Sequence, residues 1–132
     1  MTLEQYRIKH SILIEQYQWI EYDLEGLYAN LSDEPFCKAI AQIEKDSIGG
    51  VVREIRQIEK QQNITVFTNA EYRALDQMRE DRNFWCHVCY TEAWDRETGI
   101  PRNAQRLTTD LREAEAVLVW LRKIKQAYRR DC

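Results

Sequence analysis

Leu3, Tyr6, Leu13, Tyr17, Ile20, Leu24, Leu27 and Leu31 fall on one stripe, stepping by three and four residues, and His10 is its one polar member. That spacing predicts a single amphipathic helix over almost thirty residues, with His10 turned toward whatever the helix packs on. A stop follows at "ANLSDEP", where Ser32 or Asp33 suits a helix cap and Pro35 suits a first turn, so a second helix is expected near Glu34. Phe36, Ile40, Ile43, Val51, Ile55 and Ile58 continue a helical face to about Gln62, interrupted by "SIGG". Adjacent glycines disfavour a helix interior by roughly 1 kcal/mol each relative to alanine, which reads as helix, bend, helix.

"NITVF" is too short to be more than a connection, and Thr68 or Asn69 starts the next helix, which carries Leu75, Met78, Trp85 and Cys89 on one side. "DRETGIPRNAQ" holds a glycine and a proline and reads as a loop. From about Thr108 a last helix places Leu111, Ala114, Leu118, Leu121 and Tyr128 at helical spacing. No alternating strand pattern or internal repeat is present. The expectation is one all-α domain spanning residues 1–132, an antiparallel bundle of four to five helices.

Composition changes little in this picture. A chain of 132 residues is long enough to bury a core without metals or disulfides, and its formal net charge of −3 steers it toward no class of partner. Four cysteines, at 37, 86, 89 and 132, accompany a polar start, "MTLEQYRIKH", so reduced thiols in a cytoplasmic protein are expected. No stretch approaches the ~20 apolar residues of a spanning helix, and no membrane partner is expected.

Chemistry concentrates in "RNFWCHVCY", residues 82–90. At 100° per residue Asn83, His87 and Tyr90 share a face, and Asp76 and Glu80 precede them on it. Arg82 lies about 140° from His87, yet its long side chain can reach a common phosphate near a kink or across a dimer axis. Taken singly, His87 reads as a partly buried histidine satisfied by hydrogen bonds, and Arg82 as a solvated helix charge.

Together, Arg82, Asn83 and His87 resemble the Arg-x-x-x-x-His signature of the HEPN superfamily, in which asparagine commonly follows the arginine. The resemblance implies an all-helical domain of about this length with the signature in a long helix of its second half. It further implies a metal-independent endoribonuclease of a bacterial toxin–antitoxin or phage-defence system, working as a homodimer with two signatures facing across a cleft. Arg82 and His87 are then the catalytic residues, with Asn83 and Tyr90 in support. An imidazole, whose ordinary pKa lies near neutrality, can take a proton from a ribose 2′-hydroxyl or give one to the leaving 5′-oxygen. Arginine presents a fork of donors to phosphoryl oxygens as charge accumulates. In the HepT branch, whose antitoxin is a nucleotidyltransferase, the modified tyrosine stands two residues after the histidine; Tyr90 stands three after His87. The alternative is a non-catalytic interaction or regulatory module of the same fold.

Other residues carry two readings each. Cys86 and Cys89 form a Cys-x-x-Cys pair, but it lies inside a helix and no other ligands show zinc-knuckle spacing, so the cysteines are expected to pack and no metal or cofactor is assigned. His10 reads as a satisfied core histidine or as a groove residue beside His87. Tyr6, Tyr17, Tyr22 and Tyr28 read as packing residues, or as stacking partners for a base wherever one reaches the cleft. Arg122, Lys123, Lys125, Arg129 and Arg130 form the densest positive run; they read as an RNA-backbone contact or as cations favoured by a helix C-terminus.

Overall fold

Thr2 sets the start of the first helix. Its hydroxyl accepts from the Gln5 N–H while the Gln5 side chain accepts from the Thr2 N–H, a reciprocal capping box. In the computed structural model, which describes residues 1–87, 90–91, 95–99 and 101–130, the helix so begun, α1, runs Leu3–Leu31. It is followed by α2 (Phe36–Ile43), α3 (Ile48–Gln62), α4 (Asn69–His87) and α5 (Ala104–Ala127). The described residues contain no strand, as the hydrophobic spacing requires of an all-helical bundle.

α1 is the axis of the fold and packs on each of the other four helices. Tyr6, Leu13, Ile20, Leu24 and Leu27 on its stripe are completely buried. Leu75, Met78 and Trp85 of α4 and Leu107, Ala114 and Leu121 of α5 close the same core. Helix directions follow from the polar contacts. Glu21 meets Arg82 while His10 meets Trp85, so α4 runs against α1. Asp23 meets Arg122 and Lys125, and the carbonyl of Ala29 meets Arg130. α1 and α5 therefore point the same way, with α4 as the return strut beside both.

Three boundaries differ from the sequence reading. α2 starts at Phe36 with Pro35 as its N-cap and no side-chain cap hydrogen bond, while Ser32, expected to cap it, ends α1 by donating its backbone N–H to the Tyr28 carbonyl. The break in the second helical run falls at Glu44–Ser47, before the glycines, because the Ser47 hydroxyl accepts from the Gly50 N–H and caps a new helix. A Cβ at Gly50 would strike the Asp46 carboxylate, so the glycine permits this tight entry. α5 likewise starts at Ala104 rather than near Thr108, which lets Leu107 and Asp110 join its inward face. Between α3 and α4, Glu59 gathers the connection: its carboxylate accepts from the backbone N–H groups of Val66 (2.7 Å) and Phe67 (3.1 Å) and from the Tyr72 hydroxyl.

The C-terminal half of α1 is held by charge. Asp23, buried in the α1–α5 seam, takes Lys125 Nζ at 3.2 Å and Arg122 Nε at 3.4 Å. Gly26 makes room for that lysine, since a Cβ there would lie 2.6 Å from Lys125 Cε. α1 has no basic residue in its last turn, and Arg130 supplies one from outside, donating to the carbonyls of Ala29, Ser32 and Glu34 at 2.7–2.9 Å. Arg130→Ala should therefore cost about 1–3 kcal/mol in urea unfolding, whereas its exposed neighbour Arg129→Ala should be near neutral. Among the described residues no helix is long and apolar enough to cross a membrane.

Candidate functional site

α4 owes its start to a second capping box, in which the Thr68 hydroxyl accepts from the Glu71 N–H and the Glu71 carboxylate accepts from the Thr68 N–H. From that fixed start its apolar positions lock the helix by Leu75, Met78 and Trp85 in the core. Asp76, Glu80, Asn83, Cys86 and His87 are left exposed on the opposite side, as the face reading expects.

Arg82 sits at the boundary between the two faces, half-buried, with Nε 2.5 Å from Glu21 Oε1 on α1. Arg82 and Asn83 line a groove of about 550 Å³ that also takes in Glu21, Glu25, Arg53 and Arg79. Burial foremost, with Glu21 and Glu44 nearby, raises the Glu25 carboxyl above its ordinary range. His87, in the last described turn of α4, is exposed and is not among the groove's lining residues. Within one chain, then, arginine and histidine open onto different parts of the surface, as their separation around the helix dictates.

Tyr90 is exposed and turns back toward α1. Its hydroxyl lies 3.4 Å from His10 Nδ1, and its ring meets Tyr6 edge-on. His10 Nε2 stands 2.8 Å from the Trp85 carbonyl oxygen, so His10 is the satisfied, half-buried histidine of the two readings. Tyr6 and Tyr17 are core and Tyr28 packs against it, but Tyr22 is exposed beneath Lys125, whose Nζ lies 4.5 Å from the ring centre.

The basic run divides. Arg122 and Lys125 are paired with Asp23 and Arg130 caps α1, while Lys123 and Arg129 face solvent. The cysteine expectation is corrected in part. Cys86 and Cys37 are exposed thiols rather than packing residues; one turn beyond Asn83, Cys86 belongs to the polar row. Cys89, Cys132 and Val88 lie outside the described residues.

One cluster was not singled out from the sequence. On the face of α4 next to Arg82, Asp81 is buried against Asp110 of α5, with Glu113 one turn further on. Arg106 bridges the two aspartates, Nη2 at 3.5 Å from Asp81 Oδ1 and Nε at 3.4 Å from Asp110 Oδ2, and lies over the Phe84 ring at 3.7 Å. Gln77 donates to Asp81 at 3.0 Å, and the Trp85 indole N–H donates to Asp110 at 2.6 Å. These carboxylates line a pocket of about 340 Å³ together with Tyr17, Met78 and Trp120. The available signal was an aspartate in an apolar seam: Asp81 between Met78 and Trp85, Asp110 between Leu107 and Ala114.

Burial first, and mutual repulsion with Asp110, raise the carboxyls of Asp81 and Glu113 above their ordinary values. A carboxyl raised in the folded state contributes stability that is complete below the unfolded value, about pH 4, and is lost as pH rises through the folded value. Glu113→Gln removes one member of the repulsion. Its urea midpoint should exceed the parent's at pH 7, and the difference should shrink toward pH 4.

Against protein-family models, curated proteins and solved structures, the chain has no match.

Proposed function

We propose that the chain is a HEPN-type endoribonuclease of a toxin–antitoxin or phage-defence system, acting without metal as a homodimer. The observation that carries the proposal is Arg82-Asn83 followed by His87 on one solvent-accessible stretch of α4, with the arginine and asparagine opening on a groove.

The chain has two histidines, and His10 is engaged with the Trp85 carbonyl. Cleavage through the ribose 2′-hydroxyl needs two proton transfers. One His87 takes the hydroxyl proton as the 2′-oxygen attacks phosphorus; the His87 of a second copy gives a proton to the 5′-oxygen as its bond to phosphorus breaks. The products are a 2′,3′-cyclic phosphate and a 5′-hydroxyl. Arg82 donates to the non-bridging oxygens, a phosphate displacing Glu21 from its guanidinium. Asn83, one turn before His87, orients the imidazole or holds the next phosphate. Tyr90, exposed beside His10, follows His87 by three residues, and Lys123 and Arg129 are the basic residues of the terminal run open to an RNA backbone. An antitoxin of nucleotidyltransferase type fits this class of protein.

Incubating the purified protein with RNA and with DNA of the same sequence, both in a chelating buffer, tests the proposal. RNA should be cut and DNA spared. No cleavage of either, or cleavage only with added metal, would overturn it.

A second reading, a non-catalytic interaction module, is favoured by a specific feature. Ile8, Ile12, Trp19 and Tyr22 are all exposed on the outward side of α1, opposite its buried stripe. On that reading Arg82 remains with Glu21 as structure, and a second polypeptide covers α1. Ribonuclease activity lost in His87→Ala would exclude it.

A further inference from the structure

We propose that the groove between α3 and α4 holds the backbone of a single-stranded RNA and leads it to Arg82. The inference rests on the ribonuclease reading and says where the substrate of that enzyme lies. The groove has a volume of about 760 Å³ and is lined by Arg53 and Arg56 of α3 and by Arg73 and Arg79 of α4. Asp76 is the one carboxylate among its described lining residues, so four guanidinium groups stand against a single negative charge, in a chain whose formal net charge is −3.

Three of the four arginines are open to a ligand. Among the described residues, Arg79 pairs with Asp76 at 2.9 Å, whereas Arg53, Arg56 and Arg73 are exposed and form no ion pair. Arg56 lies over the Tyr72 ring, its guanidinium carbon 4.0 Å from the ring centre, so the ring places the group and leaves its charge uncompensated. The terminal basic run is built differently, with Arg122 and Lys125 serving buried Asp23 and Arg130 serving the carbonyls that end α1. Like charges gathered without partners repel, and a polyanion in the groove relieves that repulsion.

The groove runs into the one that carries the reactive residues. Arg53, Asp76 and Arg79 line both it and the groove of about 550 Å³ that holds Arg82 and Asn83. Arg73, Asp76, Arg79 and Arg82 step by three along α4, a ridge that winds around the helix from one groove to the other. Arg79 crosses to α3 at the junction: a Cβ on Gly49, in the first turn of α3, would lie 3.5 Å from its Cδ. Two features identify the occupant as RNA. The first is this continuity with Arg82, whose planar fork of donors, like those of the other arginines, matches phosphoryl oxygens. The second is the floor, where Val52 and Leu75 offer an apolar stretch to the face of an unpaired base. An acidic polypeptide matches the charge alone.

Fluorescence anisotropy tests the groove apart from the chemistry, using the full chain and a labelled single-stranded oligonucleotide with every 2′-hydroxyl methylated, which can be bound and not cut. Arg53→Gln combined with Arg73→Gln removes two exposed charges that make no ion pair, and should leave helix content unchanged by circular dichroism. It should weaken binding at least tenfold in low salt and lower the slope of log affinity against log salt by about 1.4, the loss for two phosphate contacts on a single strand. Arg7→Gln combined with Arg112→Gln, the same charge change at exposed positions of α1 and α5, should bind as the parent does. Binding of parental strength in the first variant, an equal loss in the second, or no binding by the parent overturns the proposal. Displacement by polyglutamate as effective as by unlabelled RNA at equal charge also overturns it, in favour of an acidic polypeptide. Cleavage of all-ribose RNA reports on the ribonuclease reading separately: cleavage with parental binding in the first variant removes the groove and leaves that reading, and groove-dependent binding without cleavage does the reverse.

Discussion

His87→Ala is expected to slow RNA cleavage by about 10²–10⁴-fold, the range by which positioned acid–base groups accelerate proton transfer. In a homodimer the substitution removes both transferring groups at once, which places the effect toward the upper end. Arg82→Ala should cost about 10²–10³-fold through the charge left unstabilised on the phosphoryl oxygens. Arg82→Lys should recover only part of that loss, because a lysine keeps the charge and gives up the planar fork. Combining the histidine and arginine substitutions should cost much less than the product of the two, since the groups act on one transition state. Initial rates on a labelled RNA, with circular dichroism to show unchanged helix content, measure all four. His87 is exposed, so its substitution leaves the core intact. Arg82 is ion-paired to Glu21 across the α1–α4 seam, and its stability cost is read separately from the same samples.

Trp85→Ala is the substitution with the largest expected effect on stability, about 3–5 kcal/mol in urea unfolding. The side chain is 1 % exposed and lies between α1 and α5. Its ring packs against Tyr6 and His10 of α1 and the neighbouring Phe84, and its indole N–H is a short donor to buried Asp110. Truncation therefore opens a cavity and deprives a buried carboxylate of a donor in the same step. Trp85→Phe separates the two causes, keeping most of the volume while removing the hydrogen bond, and should cost about 1–3 kcal/mol. A loss in Trp85→Ala no greater than in Trp85→Phe would mean that the indole N–H, not the packing, anchors this part of α4. Trp85 also stands between Arg82 and His87 in sequence, so loosening it should depress cleavage beyond any loss in folded fraction.

The helices were legible because their apolar residues keep strict three-and-four spacing: Leu3 to Leu31 foretold α1 to the residue. The boundary at Ser47 was missed because glycine was weighed as a helix breaker, whereas a serine cap just before it fixes the first turn and uses glycine for clearance against Asp46. The early start of α5 was missed because Asn103 caps it without a side-chain hydrogen bond. At the site, the exposure of Asn83 and His87 followed from periodicity, whereas Tyr90 turns back onto Tyr6 and His10 of α1. The partners did not follow from periodicity: Glu21 for Arg82, the Trp85 carbonyl for His10 and the α1 carbonyls for Arg130 are set by how helices distant in sequence meet. The carboxylate pocket was hidden for the same reason, since Asp81 and Asp110 each look like an isolated polar residue in an apolar stripe until α4 and α5 are laid side by side.

The most direct measurement uses an RNA cut at a defined position, prepared also with a single 2′-deoxynucleotide on the 5′ side of that bond, and incubated with the protein in a chelating buffer. If His87 and Arg82 act as assigned, the all-ribose strand yields a 2′,3′-cyclic phosphate end and the deoxy-substituted bond stays intact. Cleavage of the deoxy-substituted bond at the same rate, or an all-ribose strand left whole, would contradict it.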